Sequence, residues 1–304
     1  MSVDALDFLL RRPWRDVELA PDAVGIPTML SKTERKLLYG LARDYADDRS
    51  AIVDGGAFLG GSAAALLAGL RDRPETWSGP PVASYDLFRV DDYMVGKFFP
   101  GRSAGESFRA DFDAHVARFT IPHEVHEGDV AQLGWTGGPI DILFLDVLKS
   151  PEIADAVVRD FFPSLIPGRS VIVHQDYAAH YIPWVPIGVE LMRESLTLVD
   201  WMEWGSHVFL VTGELPQVRV SELDLETRFE LLDRAINRAD GWVRGMLELS
   251  RTALVVEQGG PEAGAADAAA VAQRYRPYGS VVEAAAEVER SLGAKRGWLR
   301  RLNA

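Results

Sequence analysis

The densest run of chemically telling residues is Val53-Asp54-Gly55-Gly56-Ala57-Phe58-Leu59-Gly60-Gly61-Ser62, which follows the short apolar run Ala51-Ile52-Val53. Glycines after a buried strand let the backbone fold tightly and let a ligand approach main-chain amides with no side chain in the way. A site for a nucleotide-like ligand follows. A dinucleotide fingerprint is G-x-G-x-x-G with an acid roughly 20 residues later, whereas these glycines run G-G-x-x-x-G-G with Asp54 directly before them. A carboxylate there repels a pyrophosphate but accepts hydrogen bonds from the amino group of a methionine moiety. Asp86, closing a second strand, can accept from ribose hydroxyls, and His126-Glu127-Gly128-Asp129-Val130 offers an acceptor for an adenine amino group. Together these positions favour S-adenosylmethionine over NAD. The expected cofactor contacts are Asp54, Gly55, Gly56, Ala57, Gly60, Ser62, Asp86, Gly128, Asp129 and Val130.

The elements that must hold these residues alternate along the chain. Ser31-Lys32-Thr33-Glu34 has the form of a capping box, and Leu37, Leu38, Leu41 and Tyr45 follow at helical spacing, which predicts a helix to about Asp47. Strands are expected at Ala51–Asp54, Pro81–Asp86, around His123–His126, at Ile140–Asp146 and at Ser170–His174. Helices are expected at Ser62–Leu70, within Gly105–Phe119, at Ile153–Phe162 and at Pro186–Leu196. Strands separated by helices imply a parallel sheet covered on both faces. Leu198–Trp201 and His207–Val211, around Trp204-Gly205-Ser206, read as an antiparallel hairpin. Beyond Pro216, Phe229, Leu232, Ile236, Val243, Met246 and Leu249 predict one long helix or a pair broken near Gly241. Gly259 to Ala270 reads as a flexible joint, and Ser280–Leu292 as a last amphipathic helix before the basic end with Lys295, Arg296, Arg300 and Arg301. The expected division is an arm over residues 1–30, a catalytic domain over 31–215 and a helical extension over 216–304.

The glycine segment, with Y-D-L-F at Tyr85 to Phe88, E-G-D-V at Glu127 to Val130, L-D-V-L-K at Leu145 to Lys149 and H-Q-D-Y at His174 to Tyr177, resembles class I S-adenosylmethionine-dependent methyltransferases. More narrowly it resembles the macrocin O-methyltransferase-like group, which modifies natural-product sugars. The likeness covers about Thr33 to Leu215 and leaves out the last 90 or so residues. It implies a Rossmann-like, seven-stranded, mostly parallel sheet with helices on both faces and an antiparallel last strand, here followed by the helical extension. It adds Leu87 and Asp146 to the cofactor contacts.

Carboxyl ends of adjacent strands face a common crevice in this architecture, so Asp146 and the stretch His174 to Asp176 are expected to converge. Asp146, Gln175 and Asp176 then offer two carboxylates and an amide oxygen, a hard-oxygen set suited to Mg²⁺, which would lower the pKa of an acceptor hydroxyl. Catechol O-methyltransferases look similar here, with a metal-binding Asp followed three positions later by a Lys base, as in Asp146 and Lys149. Their later pair is Asp-Asn and that of the macrocin-like group Asp-Asp, where this chain has Gln175-Asp176. The candidate bases are Lys149, given a lowered pKa, and His174, whose ordinary pKa is near 6.5. His180, Tyr181 and Trp184 lie where the resemblance places an acceptor pocket, and Val90–Met94 with Lys97, Phe98 and Phe99 reads as a lid. His115, His123 and Glu124 are expected on the surface.

Composition sets the outer limits. The 304 residues carry 32 Lys+Arg against 45 Asp+Glu, a net charge of −13, which argues against a nucleic-acid partner. With 47% hydrophobic residues the chain is globular rather than disordered, and zero cysteines remove disulfides, thiolate zinc sites and cysteine nucleophiles. No apolar run approaches the roughly 20 residues that span a bilayer, and Met1-Ser2-Val3-Asp4 lacks the regions of a secretion signal, so the expectation is a cytoplasmic protein without a membrane partner. The function expected is O-methylation of a hydroxylated small molecule, sugar-bearing or phenolic, in a chain that associates with its own copies through the C-terminal helices. The rivals are an NAD-dependent oxidoreductase and a non-catalytic cofactor-binding scaffold.

Overall fold

The computed structural model describes residues 5–202 and 205–293. Trp204 of the expected hairpin turn, the first four residues and the basic end lie outside the described residues.

Seven strands form one sheet: β1 (Ala51–Gly55), β2 (Val82–Asp86), β3 (His123–Glu127), β4 (Ile140–Leu145), β5 (Val171–His174), β6 (Leu196–Trp201) and β7 (His207–Val211). Their spatial order is β3-β2-β1-β4-β5-β7-β6. Every pairing from β3 to β5 is parallel, and β7 runs antiparallel to both β5 and β6. This is the fold class that the resemblance implied, with the strand order reversing direction between β1 and β4. In such open sheets the crevice at that reversal is where ligands bind.

The strands β1, β4, β5 and β7 are buried at every position because both faces are covered, and successive side chains alternate between two cores. Ile52, Ile142, Phe144, Val171 and Val173 enter one core with α1 (Lys32–Gly40), α2 (Gly61–Arg71), α3 (Arg109–Val116) and the N-terminal arm. Val53, Leu143, Leu145 and Ile172 enter the other with α4 (Pro151–Asp160), α5 (Trp184–Leu191) and the C-terminal helices. The arm is fixed by Trp14, whose fully buried indole donates to Asp200 Oδ2 at 3.2 Å while Arg15 pairs with the same carboxylate at 2.6 Å.

The capping box at Ser31 is formed in both directions, and α1 passes into a π-turn over Leu41–Tyr45. The expected helix Pro186–Leu196 starts earlier and ends earlier, because Leu196 is already the first residue of β6. The C-terminal pattern resolves into a pair, α6 (Leu225–Arg238) and α7 (Gly241–Arg274), with α8 (Gly279–Gly293) after them. The flexible joint expected over Gly259 to Ala270 is helical instead. α7 kinks where Gly260 takes φ 84°, and Pro261, whose ring suits the first turn of a helix, restarts it. The small residues read as linker composition serve close packing: a side chain at Gly264 would overlap Val256, and Ala268 and Val271 are buried. Among the described residues no helix is long and apolar enough to cross a membrane.

Candidate functional site

The glycine turn sits at the carboxyl end of β1, and four of its amides are already engaged by the chain. Gly56 and Ala57 donate to the Tyr85 carbonyl at 2.8 and 3.2 Å, Gly60 donates to Ala57, and Phe58 donates to Asp86 Oδ2 at 2.8 Å. Asp86 Oδ1 takes the amide of Phe88 at 2.6 Å. Phe58 and Phe88 both hold left-handed φ, 46° and 50°, in regions where non-glycine residues are uncommon. One carboxylate therefore pins two strained turns together. A phosphate cradle needs free amides aimed at the anion, and those of Gly56, Ala57, Phe58 and Gly60 are taken.

Gly56, at φ 94°, is required by the protein itself. A Cβ there would stand 2.8 Å from the carbonyl oxygen of Asp146, so the glycine permits contact between the ends of β1 and β4 rather than only the approach of a ligand. Asp146 donates its amide to Gly55 at 2.7 Å across the same junction. Gly60 and the buried Ser62 open α2.

Asp54 is fully buried. Its Oδ2 accepts from Ser84 at 2.9 Å, and Ser84 Oγ lies 3.0 Å from His123 Nε2, a chain of hydrogen bonds across β1, β2 and β3. Oδ1 has no partner. Burial pushes this carboxyl up to about 6, against the lowering effect of the Ser62 and Ser84 hydroxyls, and the Asp86 charge adds to the rise. His123 is thus no surface residue, and burial lowers it to about 4. His115 also turns inward, its Nδ1 2.8 Å from the Leu59 carbonyl of the glycine turn. Sequence reading missed both roles because each partner lies on another element.

Gly128, at φ 144°, donates to the Asp86 carbonyl at 2.9 Å. Asp129 caps the short helix Val130–Leu133, accepting from Ala131 at 2.9 Å, and Val130 is buried in the core. Leu87 is 57% exposed beside Asp86, an apolar side chain that a flat ligand would cover. The expected lid packs on the turn through aromatic rings, with Phe58 at 5.1 Å from Phe98 and 6.0 Å from Phe99.

The expected convergence at the ends of β4 and β5 is present. Lys149 Nζ stands 2.6 Å from Asp146 Oδ1 and 2.5 Å from Asp176 Oδ2. Burial opposes the ammonium charge, but the two carboxylates outweigh it and hold Lys149 well above the ordinary lysine value. A lysine base needs the reverse shift, and the pairing with two carboxylates favours the protonated form of Lys149. His174 lines a cavity of about 10 Å³ with Asp146, Lys149 and Asp176. Burial lowers it to about 3, and neither ring nitrogen has a partner, which makes it a poor proton acceptor at neutral pH. Glu34, read only as part of the capping box, accepts from Ser206 at 2.5 Å, and its charge acts on both Asp146 and Asp176.

The residues present do not fit a divalent ion. The two carboxylates are bound to an ammonium group, and no group of three His, Cys, Asp or Glu suited to a metal occurs among the described residues. Beside this end, Trp184 donates its indole N–H to the Leu148 carbonyl at 2.8 Å. A cavity of about 410 Å³ opens between Pro151, Trp184, Ile187 and Leu254, with the Arg228–Glu257 ion pair on its wall.

No family model and no curated protein matches the chain, so the narrower macrocin-like likeness rests on the motifs alone. Among solved structures, the chain is similar to the S-adenosylhomocysteine-bound methyltransferase PaMTH1 of Podospora anserina, with 16% identity over 69% of this chain and 89% of that one and a TM-score of 0.42. It is similar to CalS11, a TDP-rhamnose 3'-O-methyltransferase of calicheamicin biosynthesis, with 16% identity over 68% and 93% and a TM-score of 0.40. It is also similar to cofactor-bound Rv0187 from MTB, with 18% identity over 69% and 99% and a TM-score of 0.45.

Proposed function

We propose that the protein transfers a methyl group from S-adenosylmethionine to a hydroxyl of a small molecule, sugar-bearing or phenolic. The observation that carries this reading is Asp54: a fully buried carboxylate with one oxygen lacking a partner, at the strand-order reversal, beside a turn four of whose amides are already bonded. That is a place for a cationic amino group and a poor one for a pyrophosphate. Asp54 would take the amino group, Asp86 the ribose hydroxyls through its remaining lone pairs, and Leu87 the face of the base. When bound, the cofactor supplies an activated methyl group, and its sulfur keeps the bonding pair as the methyl leaves.

The chain's own part is alignment and handling of one proton. The acceptor hydroxyl would meet Lys149, Asp146 and Asp176, beside the apolar side chains of Ile182 and Val185 that line the same small cavity. The proton released from that hydroxyl passes to the carboxylate pair, since Lys149 is already protonated and His174 is a weak base. Isothermal titration tests the cofactor half: S-adenosylhomocysteine binds and NAD does not. Binding of NAD alone would replace this reading with the oxidoreductase. Labelled methyl transfer to hydroxylated acceptors tests turnover, and its absence across sugars and phenols with intact cofactor binding would leave the scaffold reading.

A further inference from the structure

We propose that Lys149 is the built-in cation of the acceptor end, standing between Asp146 and Asp176 where a divalent ion would otherwise stand. Three observations carry it. Both carboxylates converge on the same nitrogen, at 2.6 and 2.5 Å, from residues 3 and 27 positions away. Both are largely shielded, with side chains 17% and 16% exposed, and the nearby Glu34 charge adds to a negative set that needs a counter-charge. The residue next to Asp176 is the neutral Gln175, so the set lacks the further carboxylate that would favour a doubly charged ion. An oxygen-bound Mg²⁺ or Mn²⁺ lies roughly 2.1 Å from its ligands. It would compete with the ammonium for the same lone pairs and be repelled by it at contact distance.

The role follows from the charge. Lys149 presents the acceptor oxygen with a fixed positive group that orients it and stabilises the negative charge growing as its proton leaves. The meaning of that role rests on the methyl-transfer reading, whereas the identity of the cation does not.

Mn²⁺ alone is the probe, followed by electron paramagnetic resonance on the full chain. The wild type should leave added Mn²⁺ free. Lys149→Met should create a site at least about tenfold tighter, Asp176→Asn added to it should remove that site, and Lys149→Arg should exclude the ion again. Lys149→Gln serves if the Met variant does not fold. Wild-type binding as tight as that of Lys149→Met, or no gain in either neutral variant, overturns the proposal. Titration of the same samples with S-adenosylhomocysteine separates the two readings. Failure of the wild type to bind it sinks the methyl-donor assignment and leaves the Mn²⁺ result standing.

Discussion

The two halves of the crevice are built in different ways. At the ends of β1, β2 and β3 the turns are held through main-chain amides: Gly56 and Ala57 on the Tyr85 carbonyl, Phe58 and Phe88 on Asp86, Gly128 on the Asp86 carbonyl. At the ends of β4 and β5 the charges of Asp146, Lys149 and Asp176 hold one another, and the lysine is half-exposed. A turn set by main-chain bonds has one geometry and binds by presenting it. A triad of side chains can rearrange, since its members lose little but each other's company on moving. The first half is therefore expected to respond to substitution as structure, and the second as chemistry.

Gly56→Val is the harshest way to test that contrast. A β-branched residue at φ 94°, with its Cβ 2.8 Å from the Asp146 carbonyl, must force β1 and β4 apart. A loss of about 3 kcal/mol or more in denaturant unfolding is expected, together with loss of S-adenosylhomocysteine binding. A variant of normal stability that merely fails to bind would show the turn to be a pure ligand surface. Asp86→Ala comes next. Removing the carboxylate frees both Phe58 and Phe88 and the ribose acceptor, so affinity for S-adenosylhomocysteine is expected to fall by about 1.5 to 3 kcal/mol in calorimetry. Asp176→Asn in the other half should leave that affinity within about 0.5 kcal/mol, and an equal loss there would erase the distinction between the halves.

The contrast also explains what was legible in the sequence. The glycine turn, the capping box at Ser31 and the strand at Ile140–Leu145 are local patterns with local causes, and each was readable. The Asp54–Ser84–His123 chain was not, because register between β1, β2 and β3 brings together residues 30 and 39 positions apart. Glu34 offered a complete explanation as a cap and so hid its bond to Ser206, 172 positions away. Lys149 could be placed near Asp146 and Asp176 but its protonation could not, since that depends on both carboxylates closing on one nitrogen. The segment after Gly259 misled for another reason: small residues suit a linker and a tightly packed helix equally, and only the partner surface decides.

A milder test uses pH. Asp54 is pushed up to about 6 by burial. The amino group of S-adenosylhomocysteine pairs with the ionised form, so affinity should be full a unit or more above pH 6, fall by about half at pH 6 and by about tenfold one unit below. The stability of the free protein should move the other way at this group. Its folded pKa exceeds the unfolded value, so the neutral form favours folding as pH falls from 6 toward the ordinary carboxylate range. Asp54→Asn should bind weakly with a flat pH profile between 5 and 7, and a profile still falling at pH 6 would assign the titration elsewhere.

The smallest effect is expected at His174, and it bears on whether the second half holds its own base. The ring is buried, both nitrogens lack partners, and burial lowers it to about 3. Near pH 7 it is neutral in folded and unfolded chains alike, and replacing an unpartnered buried polar group by an apolar one of similar size is close to neutral. His174→Leu should therefore change unfolding free energy by less than about 1 kcal/mol at pH 7. In acid the two proteins should separate. The unfolded histidine takes up a proton near 6.5 while the folded one resists until about 3, so the wild type loses stability as pH falls through that window and the leucine variant is spared this share of the loss. His207, lowered to about 4 by burial, remains in both proteins, and its charge is the second cause of the His174 shift. Methyl transfer should survive the substitution, because the proton has a carboxylate pair to go to. A variant that keeps its stability and its affinity for S-adenosylhomocysteine but loses turnover would return the role of base to His174, and with it the view that the charged triad only binds.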